Sequence, residues 1–195
     1  MINLGQIGAG AWGQNHIRIL SGLKDCYLRI CCDTNKKTLE KLSSIYSERL
    51  KLTDNFRDIL NDKEIEGVVI ATPAATHAAL AIEALSCGKH VFVEKPLALN
   101  MEDGKSVVEA ARKNKRTLMV GHLLLYHPAV LRLKDYIQKG ELGKILYIYS
   151  TRVNLGQVRE EESALWSLTS HDISVALFLL ADTPEEVCAK GESYL

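Results

Sequence analysis

Two sets of residues have the types and spacing that nucleotide and proton chemistry use. The first is Gly8-x-Gly10-x-x-Gly13, which follows a short apolar run over 2–7 and precedes a helical segment. In that setting Gly8 permits a tight turn out of the strand, and Gly10 lets backbone approach a pyrophosphate. Gly13 lets the helix pack closely on the strand. The whole run Gly8, Ala9, Gly10, Ala11, Trp12, Gly13 then reads as an anion cradle, with helix-start N–H groups and the helix dipole behind it. The run over 27–33 ends at Asp33, twenty positions beyond Gly13. A carboxylate there can accept from both adenosine ribose hydroxyls and repel a 2′-phosphate, which favours NAD over NADP. Lys36 and Lys37 soften that exclusion, Thr34 stands beside it, and a helix-capping carboxylate is the other reading of Asp33.

The second set lies where a parallel sheet would place its ligands, at the strand ends. Thr72 and Pro73 close one apolar run, Glu94-Lys95-Pro96 close the next, and Gly121-His122 follow a third. Pro96 holds Lys95 extended. Partial burial would suit its amine to shuttle a proton or orient a hydroxyl. A solvated lysine paired with Glu94 is the alternative. His171 starts a helix among Trp166, Ser170 and Asp172, a setting that favours the neutral base near pH 7. A capping or core histidine fits that position too. His77, in a first helical turn, and His122 can both line the crevice, whereas His16 and His90 read as structural. Arg152, Asn154 and Arg159 could clasp phosphate oxygens through guanidinium forks, and a charged surface loop also accounts for Arg159.

These residues need a scaffold of alternating strands and helices. Helices are expected from Trp12 to Leu20, over 35–46 with Thr34 as cap, over 75–87, and over 101–114 capped by Asn100. Between them lie apolar runs at 27–33, 50–52, 67–72, 90–94 and 117–121. The alternation over 2–121 predicts a doubly wound parallel sheet, an α/β Rossmann domain. A second regime begins at His122. Pro128 starts a helix that Gly140 ends, and 144–154 alternates like an antiparallel strand with Ile145, Tyr147 and Tyr149 on one face. An apolar helix covers 171–181, and 185–190 could begin another strand. The second domain, 122–195, therefore reads as an incomplete α/β domain on an open, mostly antiparallel sheet.

Composition bounds the partners. Lys plus Arg and Asp plus Glu balance at 24 each, so no global field draws the chain to nucleic acid or anionic membranes. No apolar run reaches transmembrane length and no signal peptide opens the chain, so a cytoplasmic location is expected. Five cysteines without CxxC or Cys/His ligand spacing read as small buried hydrophobes, with no metal site.

Glycine turn, Thr72-Pro73-x-x-x-His77, Glu94-Lys95-Pro96 and Gly121-His122, in this order, resemble the Gfo/Idh/MocA oxidoreductase family along the whole chain. The resemblance implies a Rossmann domain followed by an open-sheet domain, with NAD(P) used on sugars, cyclitols and related compounds. It implies cofactor contacts from the glycine turn, Asp33, Thr34, Thr72, Pro73, His77, Glu94, Lys95 and His122. It also makes Lys95 and His171 the catalytic pair, without dividing the proton between them. Arg152-Val-Asn154, Leu165-Trp166-Ser167 and His171-Asp172 are similar to a narrower group, the nucleotide-sugar 3-dehydrogenases. That similarity implies hydride transfer from C3 of a UDP-sugar such as UDP-N-acetylglucosamine or its uronic acid. Substrate would then be held by Lys95, Arg152, Asn154, Arg159, Trp166, His171 and Asp172. Ser167 departs from the aspartate that many members carry four residues before the histidine. The chain stops short of a family member's usual end, which reads as a C-terminal truncation of a domain that commonly forms the homo-oligomer face. A non-catalytic NAD-binding remnant, or a dehydrogenase of a free sugar or cyclitol, are the alternative readings.

Overall fold

Short apolar runs build one parallel sheet in the computed structural model, which describes residues 1–46, 49–153 and 163–192. Its strands are β1 Ile2–Ile7, β2 Cys26–Cys32, β3 Lys51–Thr53, β4 Gly67–Ile70, β5 His90–Val93 and β6 Leu118–Val120, ordered β3-β2-β1-β4-β5-β6. The connecting helices are α1 Ala11–Leu20, α2 Lys36–Tyr46, α3 Arg57–Leu60, α4 His77–Ser86 and α5 Met101–Lys113. This is the doubly wound order, with its switch point between β1 and β4. All four residues of β4 are buried, as a central strand covered by helices on both faces requires.

Two apolar clusters form the core. Ile7, Ile30, Cys32, Val68, Ile70 and Val93 belong to one, with Ala81, Leu85 and Val107 from α4 and α5. Ile17, Leu28, Cys31 and Leu42 belong to the other, from α1, β2 and α2. Leu28 and Cys31 share a cluster three residues apart because the β1–β2 register steps from Leu4↔Leu28 to Gly5↔Ile30. The skipped Arg29 reverses the alternation of side chains along β2.

Two expected caps meet their helices, with one change of residue. Asn100 accepts from the Asp103 N–H at 2.8 Å. The cap of α2 is Asn35, not Thr34: its side chain accepts from the N–H of Lys37 at 3.0 Å and Thr38 at 3.4 Å. Asn35 stands immediately before the first helical residue, where a short amide reaches the orphan N–H groups.

The described residues divide into two compact units, Met1–Gly121 with 163–166, and 122–153 with 167–192. The second holds α6 Pro128–Gln138 and α7 Ser170–Leu180. Pro128 opens α6 and the His127 side chain caps it, accepting from Ala129 N–H at 3.2 Å. Lys134 of α6 donates to the Leu179 carbonyl of α7 at 3.0 Å and lies over the Phe178 ring. The strand expected over 144–154 is absent among its described residues, 144–153, and 185–190 forms none either. Tyr147 and Tyr149 are both 83% exposed. An alternating sequence becomes a strand only beside a partner that takes its backbone groups, and no described segment of this unit supplies one.

Candidate cofactor and catalytic site

Sheet register brings the chemistry-bearing residues into one row. Ile7 pairs with Cys32 and Ile70, Ile70 with Val93, and Val93 with Val120. The next residue of each strand is therefore Asp33, Gly8, Ala71, Glu94 or Gly121, and backbone bonds continue across them. Gly8 donates to Cys32, Ala71 to Ile7, Glu94 to Ile70 and Gly121 to Val93, all at 2.8–2.9 Å. The crevice that a doubly wound sheet offers to ligands starts at this row.

The three glycines divide their work as their spacing predicts. Gly8 has φ +95°, and a Cβ there would stand 2.5 Å from the Ala71 carbonyl oxygen. A Cβ on Gly13 would stand 2.3 Å from the Gly8 carbonyl oxygen, whereas one on Gly10 would meet nothing within 4 Å. Gly8 and Gly13 serve close packing, and Gly10 leaves open the face where a pyrophosphate would lie. Ala11 and Trp12 stand exposed at the start of α1, while Ala9 is fully buried. Gln6, also buried, ties the turn from beneath. Its Nε2 donates to the carbonyls of Gly8 and Gly13, both at 2.8 Å. The sequence offered no signal for Gln6 beyond a polar residue inside an apolar strand.

Asp33 sits against that turn. One carboxylate oxygen accepts the Ala9 N–H at 2.7 Å and the other the Asn35 N–H at 2.8 Å. The carboxylate is thus fixed at the end of β2 beside the open face of Gly10. Open backbone at Gly10, helix-start N–H groups and a placed carboxylate together fit a dinucleotide. Thr34 is exposed just beyond.

At the end of β5, Lys95 is half-buried and joined to Pro96 by a cis peptide bond. Both its neighbours are held by histidines. His16 Nε2 of α1 lies 2.7 Å from Glu94 Oε1, and the His16 ring meets Phe92 edge-on with centroids 5.3 Å apart. His77 Nδ1 lies 2.7 Å from the Pro96 carbonyl oxygen and its Nε2 2.9 Å from that of Thr72. His77, expected at the cofactor, is 1% exposed. Its ring is spent on joining the Thr72-Pro73 loop to the segment after β5, so it holds crevice loops instead of lining them. Glu94, expected there too, is 8% exposed and holds His16. Thr72 is half-buried with its hydroxyl 2.7 Å from that of Thr76, and Pro73 is exposed.

The remaining expected residues lie from His122 onward, all but Trp166 of those described belonging to the second unit. His122 opens it half-buried, its carbonyl accepting from Leu125 N–H at 3.0 Å. Trp166 is half-buried in a π-helical turn, Leu165–Thr169, and His171 lies in the first turn of α7. Arg152 grips Asp172 with both arms of its fork, Nε to Oδ2 at 2.7 Å and Nη2 to Oδ1 at 3.1 Å. Ser150 adds a third bond, to Oδ1 at 2.8 Å. The Arg152 hydrogen bonds, then Ser150, hold the Asp172 carboxyl below the usual carboxylate range, and the Arg152 pKa rises in return. Asn154 and Arg159 lie outside the described residues.

Residues 2–122 match the model of an oxidoreductase family with an NAD-binding Rossmann fold. The chain belongs to the Gfo/Idh/MocA oxidoreductase family. It is 31% identical over 183 residues to an inositol 2-dehydrogenase of Salmonella typhimurium strain LT2, covering 92% of this chain and 54% of that protein. A solved structure from Magnetospirillum magnetotacticum assigned as an oxidoreductase superposes with TM-score 0.84 at 32% identity, over 99% of this chain and 62% of that one. The WlbA dehydrogenase of Bordetella pertussis, solved with NADH and UDP-GlcNAcA, gives TM-score 0.67 at 32% identity over 73% of this chain and 41% of its own. The chain spans about half the length of the curated relatives it matches. Its cofactor is NAD, as the family's fold and the glycine turn agree.

Proposed function

We propose that the protein is an NAD-dependent dehydrogenase that oxidises a secondary alcohol on a polyhydroxylated ring, with C3 of a UDP-sugar as its target. The observation that carries this reading is Lys95 at the sheet's carboxyl edge, at the end of the strand two places from the glycine turn with β4 between them, with both sequence neighbours held. Gly8 to Gly13 and Asp33 would hold NAD, which supplies a hydride acceptor when bound. Lys95 would orient the substrate hydroxyl, and either Lys95 or His171 would take its one proton as the ring carbon loses hydride. Residues from 122 onward form part of the substrate domain in this reading.

WlbA's bound UDP-GlcNAcA supports the nucleotide-sugar reading. A second reading, a cyclitol dehydrogenase, draws on the inositol 2-dehydrogenases among the relatives. It also draws on Arg152, whose Nε–H and one Nη2–H are engaged with Asp172, so a carboxylate already partners the charge that a phosphate would need. The test is NADH formation by the chain with UDP-N-acetylglucosamine, its uronic acid and myo-inositol, each with NAD. Turnover of either UDP-sugar that Lys95→Met abolishes supports the first reading, and turnover of myo-inositol alone moves the assignment to the second. A Lys95→Met variant as active as the parent refutes the role given to the lysine.

A further inference from the structure

We propose that His16 is a positioning residue for Lys95, coupling the helix that carries the pyrophosphate turn to the lysine that meets the substrate. The inference rests on the role given to Lys95 above.

Three contacts converge on the Glu94 carboxylate, which is about nine-tenths buried. His16 Nε2 reaches Oε1 at 2.7 Å, and the Lys95 backbone N–H donates to Oε2 at 3.3 Å. From β6, the absent Cβ of Gly121 would stand 3.2 Å from the carboxylate carbon and from both its oxygens. A buried carboxylate must keep its donors, because losing one leaves desolvated charge uncompensated. The carboxylate therefore sits where His16 places it, and it bonds the peptide N–H of Lys95 directly. His16 is also the fourth residue after Trp12, one helical turn beyond the open face of the glycine turn. A ligand that draws on the N-terminus of α1 pulls on the same helix that holds Glu94. Phe92 fixes the rotation of the ring by its edge contact, so the imidazole reports helix position to the end of β5. On the other side, His77 secures Pro96. Lys95 is the residue between two pinned neighbours, and the His16 side leads back to the cofactor helix.

A test that needs no turnover uses the 195-residue chain reductively methylated with 13C-formaldehyde, with the Lys95 dimethylamine resonance assigned by its loss in Lys95→Arg. Its chemical shift is followed against pH, with and without NADH, alongside calorimetric NADH affinity and the melting temperature. His16→Ala is expected to move the Lys95 resonance and its pH profile and to weaken NADH binding by about fivefold or more. His16→Gln, whose amide can still donate to Glu94, should restore both. Gly121→Ala crowds the same carboxylate from the β6 side and should displace the Lys95 resonance likewise. A Lys95 profile unchanged in folded His16→Ala would overturn the proposal; should that variant fail to fold, an unchanged profile in Gly121→Ala would overturn it. The outcome is read apart from the Lys95→Met turnover test, so a failure of the coupling is distinguishable from a failure of the catalytic assignment.

Discussion

The Asp33 carboxylate accepts the backbone N–H of Ala9 at 2.7 Å, across 24 positions of sequence. One carboxylate thus does two jobs at once. It closes the back of the glycine turn, and it presents negative charge where an adenosine ribose would lie. An Asp33 that receives the ribose would link cofactor choice to turn geometry through one side chain.

Asp33→Ser should separate these jobs. Loss of the carboxylate removes the ribose acceptor and the repulsion of a 2′-phosphate, leaving Lys36 and Lys37 nearby. NADH affinity is expected to fall roughly tenfold, the scale of a lost charged hydrogen bond, while NADPH binding holds or improves. Paired calorimetric titrations with the two cofactors check this. An unchanged NADH-to-NADPH preference would remove Asp33 from the specificity determinants.

Gly10→Ala and Gly13→Ala should fail in opposite ways. Gly10 has φ −64°, which alanine adopts freely, and its Cβ would meet no protein atom within 4 Å. That variant should melt like the parent yet bind NADH weakly, because the methyl occupies the ligand's approach. Gly13→Ala drives a methyl to 2.3 Å from a backbone oxygen and should cost about 2 kcal/mol of stability or more. Thermal melts with NADH titrations of both variants distinguish the two.

The glycine spacing, the apolar runs and Asp33 were legible because each depends on neighbours a few positions away or on a fixed interval. The place of Lys95 just beyond the end of β5 was legible for the same reason, through the flanking Pro96. His16 was not: its partner is 78 positions distant, and nothing within α1 marks a histidine that will reach across to β5. His77 was read as facing the crevice, whereas both its partners are backbone carbonyls that only the folded loops bring together. The alternation over 144–153 is real in sequence but is no strand without a neighbouring one to pair with. The bond between Arg152 and Asp172 was not legible either, because its partners lie twenty positions apart and meet only in the folded unit.

Lys89 should prove a structural lysine. It is 5% exposed and its Nζ donates to the carbonyls of Asp62 and Ile65 at 2.6 and 2.8 Å, closing the loop between α3 and β4. Burial lowers its pKa, so the charge is kept at a cost that the two carbonyls offset. Lys89→Met keeps the stem and abandons both carbonyls. A loss of about 1–3 kcal/mol is expected, read from urea unfolding, with NADH affinity of the folded variant unchanged.

Thiol reactivity should sort by depth. Burial, then the neighbouring Cys32 and Asp33, pushes the Cys31 thiol up to about 12; burial and then Asp33 push Cys32 to about 11. Cys87 and Cys188 are exposed. Only the thiolate reacts, so iodoacetamide at about pH 8 should label Cys87 and Cys188 in the native chain and leave Cys31 and Cys32 until urea opens the sheet. Peptide mass spectrometry reads the order. Fast native labelling of Cys31 would mean that β2 is not sealed between its two helical layers.

Acid should loosen α7 within the second unit through Asp172. Its folded carboxyl is held below the ordinary value, first by the Arg152 hydrogen bonds and also by Ser150 and the nearby His171 charge. A carboxyl with a depressed folded pKa adds stability that is complete above its unfolded value, about 4. That contribution fades as pH falls through the depressed one. Asp172→Asn removes the titration while keeping an acceptor for Arg152. The stability gap between parent and variant should therefore be largest near neutrality and close as pH drops below about 4. Hydrogen exchange of α7 amides, followed across that range in both proteins, measures the gap where the pair sits. A gap that stays constant down to the acid limit would show that the fork seen between Arg152 and Asp172 contributes nothing to holding α7.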